Sequence, residues 1–100
     1  LFMKATTMIK ESQYNIGKEK LYKIYTRDMC VYCDMAKSLL TNYGLEYTEY
    51  NLESYPHHRE ELKKLVPEAT TVPQIFVGKK HIGGYDDLLV YSEECLQSGR

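Results

Sequence analysis

The chain has 100 residues, 43% of them hydrophobic, and its formal net charge at pH 7 is −1. That length fits one domain, and a charge so close to zero argues against nucleic acid or an anionic membrane as a partner. No apolar run is long enough to span a membrane, and the first ten residues, "LFMKATTMIK", lack the apolar stretch of a secretory signal.

The first half of the chain predicts two strands and a helix, in a domain at residues 20–100 that follows a polar N-terminal extension at residues 1–19. Residues 20–26, "KLYKIYT", alternate and are rich in aromatic and β-branched side chains, which predicts a strand. Apolar residues at helical spacing then predict a helix: Cys33, Ala36, Leu39, Leu40 and Tyr43. Gly44 would end this helix, and the alternating residues 45–52, "LEYTEYNL", predict the second strand.

The second half predicts a helix, a hairpin and a last helix. Pro56 stands at a helix-start position. The apolar face of this helix is predicted to carry Leu62, Leu65 and Val66. Residues 72–77, "VPQIFV", predict a buried strand, which the turn "GKK" joins to a return strand at "KHI". The last helix is predicted in "GGYDDLLVYSEECL", with Asp86 and Asp87 in its first turn. Its core face is predicted to carry Leu88, Leu89, Leu96 and a buried, inert thiol at Cys95.

This order of elements predicts an α/β domain. A strand–helix–strand unit places its two strands parallel with a right-handed crossover, and the hairpin adds antiparallel strands to the same sheet. We therefore expect a single mixed four-stranded β-sheet flanked by about three α-helices.

Cys30 and Cys33 form a C-x-x-C pair at the mouth of the first helix, in "MCVYCDMAKSLL". Residues three apart share a helix face, so the two sulfurs can close a disulfide. Free N–H groups at the helix start, and the nearby cation Arg27, would stabilise a thiolate at Cys30. Three cysteines are an odd and low number for a secreted scaffold, which favours a reducing cytoplasm and a catalytic or metal-binding pair.

A structural zinc site would need further ligands, commonly from a second close pair. The remaining candidates are Cys95, His57, His58 and His81, and they form no second C-x-x-C or H-x₃₋₅-H pattern. We therefore expect no metal, and a C-x-x-C beside a βαβ pattern is typical of a thioredoxin-like redox site.

From about Lys20 to Leu96 the sequence resembles the glutaredoxin family in three segments, which follow the family's order. "RDMCVYC" is similar to a basic residue followed by C-P-Y-C, "TVPQIFV" matches the family's T-V-P segment, and "HIGGYDDL" is similar to its glycine pair and acidic helix start. Val31 replaces the usual proline, as in the T4-type bacteriophage members, which "CVYCDMAKSLLT" also resembles. The resemblance implies a thioredoxin fold and a bacteriophage source.

The resemblance also implies roles for the residues of the C-x-x-C segment. Cys30 would be the nucleophile that attacks a disulfide, and Cys33 the resolving thiol. Tyr32 would flank a bound glutathione, and the alternative is an ordinary surface tyrosine in a chain with ten tyrosines.

A glutathione groove is implied by the same resemblance, with contacts from Arg27, Tyr32, Arg59, Thr71, Val72, Pro73, Gly84, Tyr85, Asp86 and Asp87. The backbone of Val72, before a cis-proline, would pair with the cysteinyl main chain of glutathione. The helix start after Gly84 would hold the γ-glutamyl carboxylate and Asp87 its ammonium, while Arg27 and Arg59 would bind the glycine carboxylate. The alternatives are a plain strand entry at the proline, helix caps for the aspartates and a solvated helix face for Arg59.

The predicted function is that of a glutathione-dependent thiol–disulfide oxidoreductase. Glutathione would be the co-substrate, and disulfide-containing proteins, by resemblance ribonucleotide reductase, would be the partners. Two alternatives stay open: a dimer that holds a [2Fe–2S] cluster through its first cysteine and glutathione, and a general thioredoxin-like reductase fed by a flavoprotein. We expect a cytoplasmic monomer, in the host cytoplasm if phage-encoded, with no nucleic-acid or membrane partner.

Overall fold

The computed structural model describes residues 21–97, which form four strands and four helical segments. The strands are β1 (Tyr22–Thr26), β2 (Tyr47–Asn51), β3 (Gln74–Val77) and β4 (Lys80–Gly83). The α-helices are α1 (Val31–Asn42), α2 (His57–Leu65) and α3 (Tyr85–Tyr91), and a π-helical segment, Ser92–Gln97, continues α3. The predicted extension at residues 1–19 and the predicted strand start at Lys20 lie outside the described residues. No helix within the described range is long and apolar enough to cross a membrane.

The four strands form one mixed sheet in the order β2-β1-β3-β4. β1 and β2 are parallel, as a strand–helix–strand unit requires, and β3 runs antiparallel to both β1 and β4. The predicted mixed four-stranded sheet with three α-helices is confirmed.

The core lies on both faces of this sheet. One cluster joins β1 and β3 to α1 and α3 through Tyr22, Ile24, Ala36, Leu40, Ile75 and Leu88. A second cluster joins the opposite face to α2 through Tyr25, Leu52, Leu62, Val66 and Phe76. Successive strand residues face opposite sides, so Ile24 and Tyr25, or Ile75 and Phe76, contribute to different clusters. This packing fixes the carboxyl end of β1, where the C-x-x-C segment begins.

The strands are shorter than the alternating patterns predict. β2 covers Tyr47–Asn51 rather than residues 45–52, and β3 starts at Gln74 rather than at residue 72. Proline has no N–H for the strand ladder, so the segment before Gln74 is left outside the sheet.

Two residues that were predicted on core faces are exposed. Leu65 is 57% exposed because α2 ends there, and Val66, which leaves the helical backbone at φ −136°, takes the buried position instead. Cys95 is a free, exposed thiol, so the predicted buried site is wrong. The π-helical segment has the wider i→i+5 turn, so a residue seven positions after Leu88 no longer lies above it.

Candidate active site

Cys30 and Cys33 are joined by a disulfide across the start of α1, with their Cα atoms 5.2 Å apart. Cys30 is the extended residue that precedes the helix, and Cys33 lies in its first turn. The backbone N–H of Cys33 donates to Sγ of Cys30 over 3.1 Å. The predicted placement of the pair is confirmed, and this N–H would stabilise negative charge on Cys30 once the disulfide is reduced.

Exposed apolar side chains surround the disulfide. Met29 has a left-handed backbone (φ 53°) at the turn from β1 into α1, and its side chain is 96% exposed. Val31 and Tyr32 are also exposed. Cys30 itself is 7% exposed and Cys33 1%, so the first cysteine is less open to solvent than we expected. It is still the more accessible of the two sulfur-bearing residues.

The loop that leads from β1 to Cys30 is held by polar side chains at the end of β2 and just after it. Asn51 donates through Nδ2 to a carboxylate oxygen of Asp28 over 3.0 Å, and the Asp28 N–H donates to a carboxylate oxygen of Glu53 over 3.1 Å. The side-chain oxygen of Asn51 also accepts from the N–H groups of Glu53 and Ser54. These contacts position the start of α1 and were not predicted from the sequence, since they join segments distant along the chain.

The segment before β3 lies next to Cys30. The peptide bond between Val72 and Pro73 is cis, as the resemblance implies. The carbonyl oxygen of Val72 is 3.9 Å from Sγ of Cys30. The backbone carbonyl of Val72 and the sulfur of Cys30 therefore meet at one place.

A groove of about 520 Å³ extends from this segment toward α2. Its lining consists of Arg27, Leu52, Arg59, Leu62, Lys63, Ala69, Thr70, Thr71 and Val72. Arg27 and Arg59, predicted as partners of one carboxylate, thus line the same groove. Lys63 adds a third cation that the sequence analysis missed. The sequence does contain an indication of this cation, because Lys63 follows Arg59 by four residues and both side chains therefore lie on one face of α2.

A second cavity, of about 400 Å³, shares Ala69, Thr70 and Thr71 with this groove. Its lining continues to the predicted residues Gly84, Tyr85, Asp86 and Asp87. The two remaining predicted residues, Tyr32 and Pro73, each lie close to a residue that lines this second cavity. The ring centroid of Tyr32 is 6.0 Å from that of Tyr85, and the carbonyl oxygen of Pro73 faces Gly84. The two cavities together form one surface with cations at one end and carboxylates at the other, which we call the two-ended groove.

The acidic end is built on a tight junction between β4 and α3. The N–H of Gly84 donates to Oδ2 of Asp87 over 3.1 Å, so Asp87 caps the helix. Gly83 has φ +123°, and a Cβ at this position would collide with the carboxylate of Asp87. The helix-cap role of Asp87 is therefore present in the structure, and its predicted contact with a ligand ammonium stays a prediction.

One group of side chains in the described part of the chain could offer three metal ligands: His57, His58 and Glu61, whose donor atoms lie within 4.8 Å of one another. His58 Nδ1 is 3.2 Å from a carboxylate oxygen of Glu61. The group lies in the first turns of α2, where the positive end of the helix disfavours a cation. The expectation that the protein needs no metal stays a prediction.

Comparisons with known proteins cover most of the chain. The family model for glutaredoxins matches residues 23–82. Glutaredoxin 3 of Escherichia coli is 46% identical over 66 residues, which cover 66% of this chain and 78% of that protein. The solution structure of a Brucella melitensis glutaredoxin is 37% identical, with a TM-score of 0.66 over 83% of this chain and 89% of that one. A buckwheat glutaredoxin–glutathione complex, 23% identical, has the same fold, with a TM-score of 0.66 over 84% of this chain and 78% of that one.

Proposed function

This chain belongs to the glutaredoxin family, and from that premise we propose that it is a glutathione-dependent thiol–disulfide oxidoreductase. Membership and the C-x-x-C pair make it a redox protein with a thioredoxin fold. The observation that carries the more specific proposal is the two-ended groove beside Cys30.

Glutathione is complementary to this groove in the distribution of its charges. The tripeptide carries a glycine carboxylate at one end and a γ-glutamyl ammonium and carboxylate at the other. Arg27, Arg59 and Lys63 would bind the glycine carboxylate, and Asp87 would bind the ammonium. Between them, the backbone of Val72 would pair with the cysteinyl residue and hold its sulfur close to Cys30.

In the reductive direction, the thiolate of Cys30 attacks a disulfide of the substrate. A mixed disulfide forms between Cys30 and one substrate sulfur, and the other substrate sulfur leaves as a thiolate. The thiol of Cys33 loses its proton and attacks Sγ of Cys30. This step closes the Cys30–Cys33 disulfide and releases the second substrate sulfur, so the substrate gains two electrons and the protein loses two.

Glutathione then regenerates the dithiol. One glutathione thiolate attacks Sγ of Cys30, which forms a glutathionyl mixed disulfide in the groove and frees Cys33. A second glutathione attacks the sulfur of the bound glutathione, and glutathione disulfide leaves with Cys30 as a thiolate. The N–H of Cys33 stabilises Cys30 as the leaving group in this last step.

For the physiological setting we propose a monomer in the cytoplasm that reduces protein disulfides, with ribonucleotide reductase as one recipient. A bacteriophage origin, with action in the host cytoplasm, fits the C-V-Y-C segment. These proposals follow from the sequence resemblance. The monomeric state and the reduction of ribonucleotide reductase can be tested on the purified chain.

The deciding experiment is turnover of a small glutathione mixed disulfide by the purified protein with glutathione, glutathione reductase and NADPH. We expect steady NADPH oxidation that the Cys30→Ser variant does not support. Absence of turnover, together with reduction of insulin by dithiothreitol in the presence of the protein, would favour a general thioredoxin-like reductase. A brown preparation with a visible absorption band under anaerobic conditions would favour the cluster-binding alternative.

A further inference from the structure

Gln74, the first residue of β3, is buried, and its side-chain amide has a partner on each side. Its Nε2 donates to the carbonyl oxygen of Thr71 over 3.0 Å. Its Oε1 lies 2.7 Å from Nε2 of His81 on β4. A carbonyl oxygen only accepts hydrogen bonds, so the NH₂ group must face Thr71 and Oε1 must face His81. Since Oε1 also only accepts, Nε2 of His81 carries the hydrogen.

This pair of hydrogen bonds ends on the segment that faces Cys30. Thr71 and Val72 line the basic end of the two-ended groove, and the carbonyl oxygen of Val72 approaches Sγ of Cys30. Both residues precede β3, so no strand ladder holds their backbone in place. The side chain of Gln74 reaches back across Pro73 and supplies the hydrogen bond that the sheet does not.

His81 is itself well anchored on the sheet. It is opposite Phe76 in the β3–β4 ladder, and the two rings lie 4.9 Å apart. Two residues later the same strand reaches Gly83, where the acidic end of the groove begins. The hydrogen bonds from His81 to Gln74 and from Gln74 to Thr71 therefore set the position of the backbone at Thr71 and Val72 relative to the start of α3.

We propose that Gln74 and His81 are positioning residues for glutathione: together they hold the backbone of Thr71 and Val72 where it pairs with the main chain of the ligand. The inference deepens the proposed function and rests on it. Neither side chain is needed for electron transfer between sulfurs, so their loss should weaken glutathione binding and spare the chemistry of Cys30.

Gln74→Glu is the most direct test, because a carboxylate can still accept from His81 but presents an acceptor to the Thr71 carbonyl. We expect the KM for a small glutathione mixed disulfide to rise about five- to tenfold, with kcat within about twofold of the parent. Insulin reduction driven by dithiothreitol involves no glutathione, and we expect it to stay within about twofold.

Variants at His81, whose side chain is more exposed, give the matched comparison. His81→Gln places an amide nitrogen at the same number of bonds from the backbone as Nε2, and we expect a KM near that of the parent. His81→Phe keeps a ring over Phe76 without a donor, and we expect a raised KM. This second variant decides the question if Gln74→Glu does not fold.

The proposal is overturned if KM is unchanged in either Gln74→Glu or His81→Phe. Gln74 lines the second cavity, so a raised KM in Gln74→Glu alone would reflect the added charge. It is also overturned if insulin reduction falls as much as turnover of the glutathione substrate, since that result indicates a purely structural role. A parent protein that reduces insulin but does not use the glutathione substrate would instead overturn the proposed function.

Discussion

At the scale of single residues, Cys30 and Cys33 are chemically identical and differ only in position. Cys30 precedes α1 and accepts the N–H of Cys33, whereas Cys33 lies one turn into the helix and is 1% exposed. We therefore expect Cys30→Ser to abolish reduction of every disulfide. Cys33→Ser should still reduce glutathione mixed disulfides, because a second glutathione can release Cys30 directly. On protein disulfides that need both thiols, this variant should fail or slow markedly.

Both cysteine variants should be assayed on both substrates, with iodoacetamide labelling of the reduced protein at mildly acidic pH. Cys95 is a third, exposed thiol, so labelling is best done with Cys95→Ser as the parent. Faster labelling of Cys33 than of Cys30, or activity in Cys30→Ser, would show that the roles are reversed.

Asp87 combines a structural contact with a predicted ligand contact, and two substitutions separate them. Asp87→Asn keeps an oxygen that can accept from the Gly84 N–H but removes the charge. If the carboxylate binds the ammonium of glutathione, Asp87→Asn should raise the KM for a glutathionylated substrate roughly tenfold with little change in Tm. Asp87→Ala should raise KM similarly and also lower Tm, because the cap is lost.

Glu93→Gln is the matched control for Asp87, since it removes one negative charge from an exposed position in the π-helical segment that continues α3. It should leave KM near the parent value. An unchanged KM in Asp87→Asn, with the fold intact, would mean that Asp87 caps the helix and does not bind the ammonium of glutathione.

At the scale of elements, the junction between β4 and α3 depends on a glycine that no other residue can replace cheaply. Gly83→Ala would combine a strained positive φ with a collision against Asp87, and we expect unfolding free energy to fall by about 2 kcal/mol or more. Gly44→Ala is the comparison, because Gly44 has φ +73° with open space around it. Its cost should be close to about 1 kcal/mol, the left-handed strain alone.

Chemical denaturation of the two glycine variants measures this difference, and KM adds a second readout. Displacement of the Asp87 carboxylate should raise the KM of Gly83→Ala, whereas Gly44→Ala should bind substrate like the parent. Equal losses of stability in both variants would mean that the junction relaxes around the new Cβ.

The elements that the sequence predicts well are those whose signal is local. The start of α1 at the cysteine pair, its end before Gly44 and the order of strands and helices along the chain all follow from spacing and turn residues close in sequence. Cys95 was misplaced because periodicity assumes a regular α-helix, and the change to π-helical turns leaves no clear mark in the sequence.

At the scale of the whole molecule, the groove could be predicted only in part. Arg27, Arg59 and the aspartates were found through their resemblance to family segments, and the structure brings them to one continuous surface. The Asn51 contacts and the Gln74–His81 pair were missed, because polar residues that support a site from a distant strand have no characteristic spacing. Such contacts exist only once the sheet has formed.

Folding also determines how stability responds to alkaline pH, because it raises the pKa of three groups among residues 21–97. Burial raises the pKa of Tyr22, and a hydrogen bond to Tyr91 adds to the effect. Burial likewise raises the pKa of Tyr25, with a contribution from the charge of Glu61. Burial acts to lower the pKa of Lys37, but its hydrogen bond and ion pair with Glu49 outweigh this and leave the pKa raised.

Each of these groups holds its proton more tightly in the folded protein than in the unfolded chain. The stability that they contribute is therefore fully present below the ordinary pKa values, about 10 for tyrosine and about 10.4 for lysine. Above that pH the unfolded chain releases protons first, so the free energy of unfolding falls as pH rises. We expect the Tm of the oxidised protein to be level up to about pH 9 and to fall between about pH 10 and 11.

Tyr22→Phe tests the largest of these shifts, because phenylalanine cannot titrate at the buried position. We expect this variant to lose Tm less steeply with rising pH than the parent, even if its Tm at neutral pH is lower through loss of the contact with Tyr91. Tyr55→Phe, at a side chain that is 59% exposed, is the control for removal of a hydroxyl. A Tm that stays level to pH 11 in the parent, or an equal slope in Tyr22→Phe and the parent, would contradict the role of buried tyrosine in alkaline unfolding.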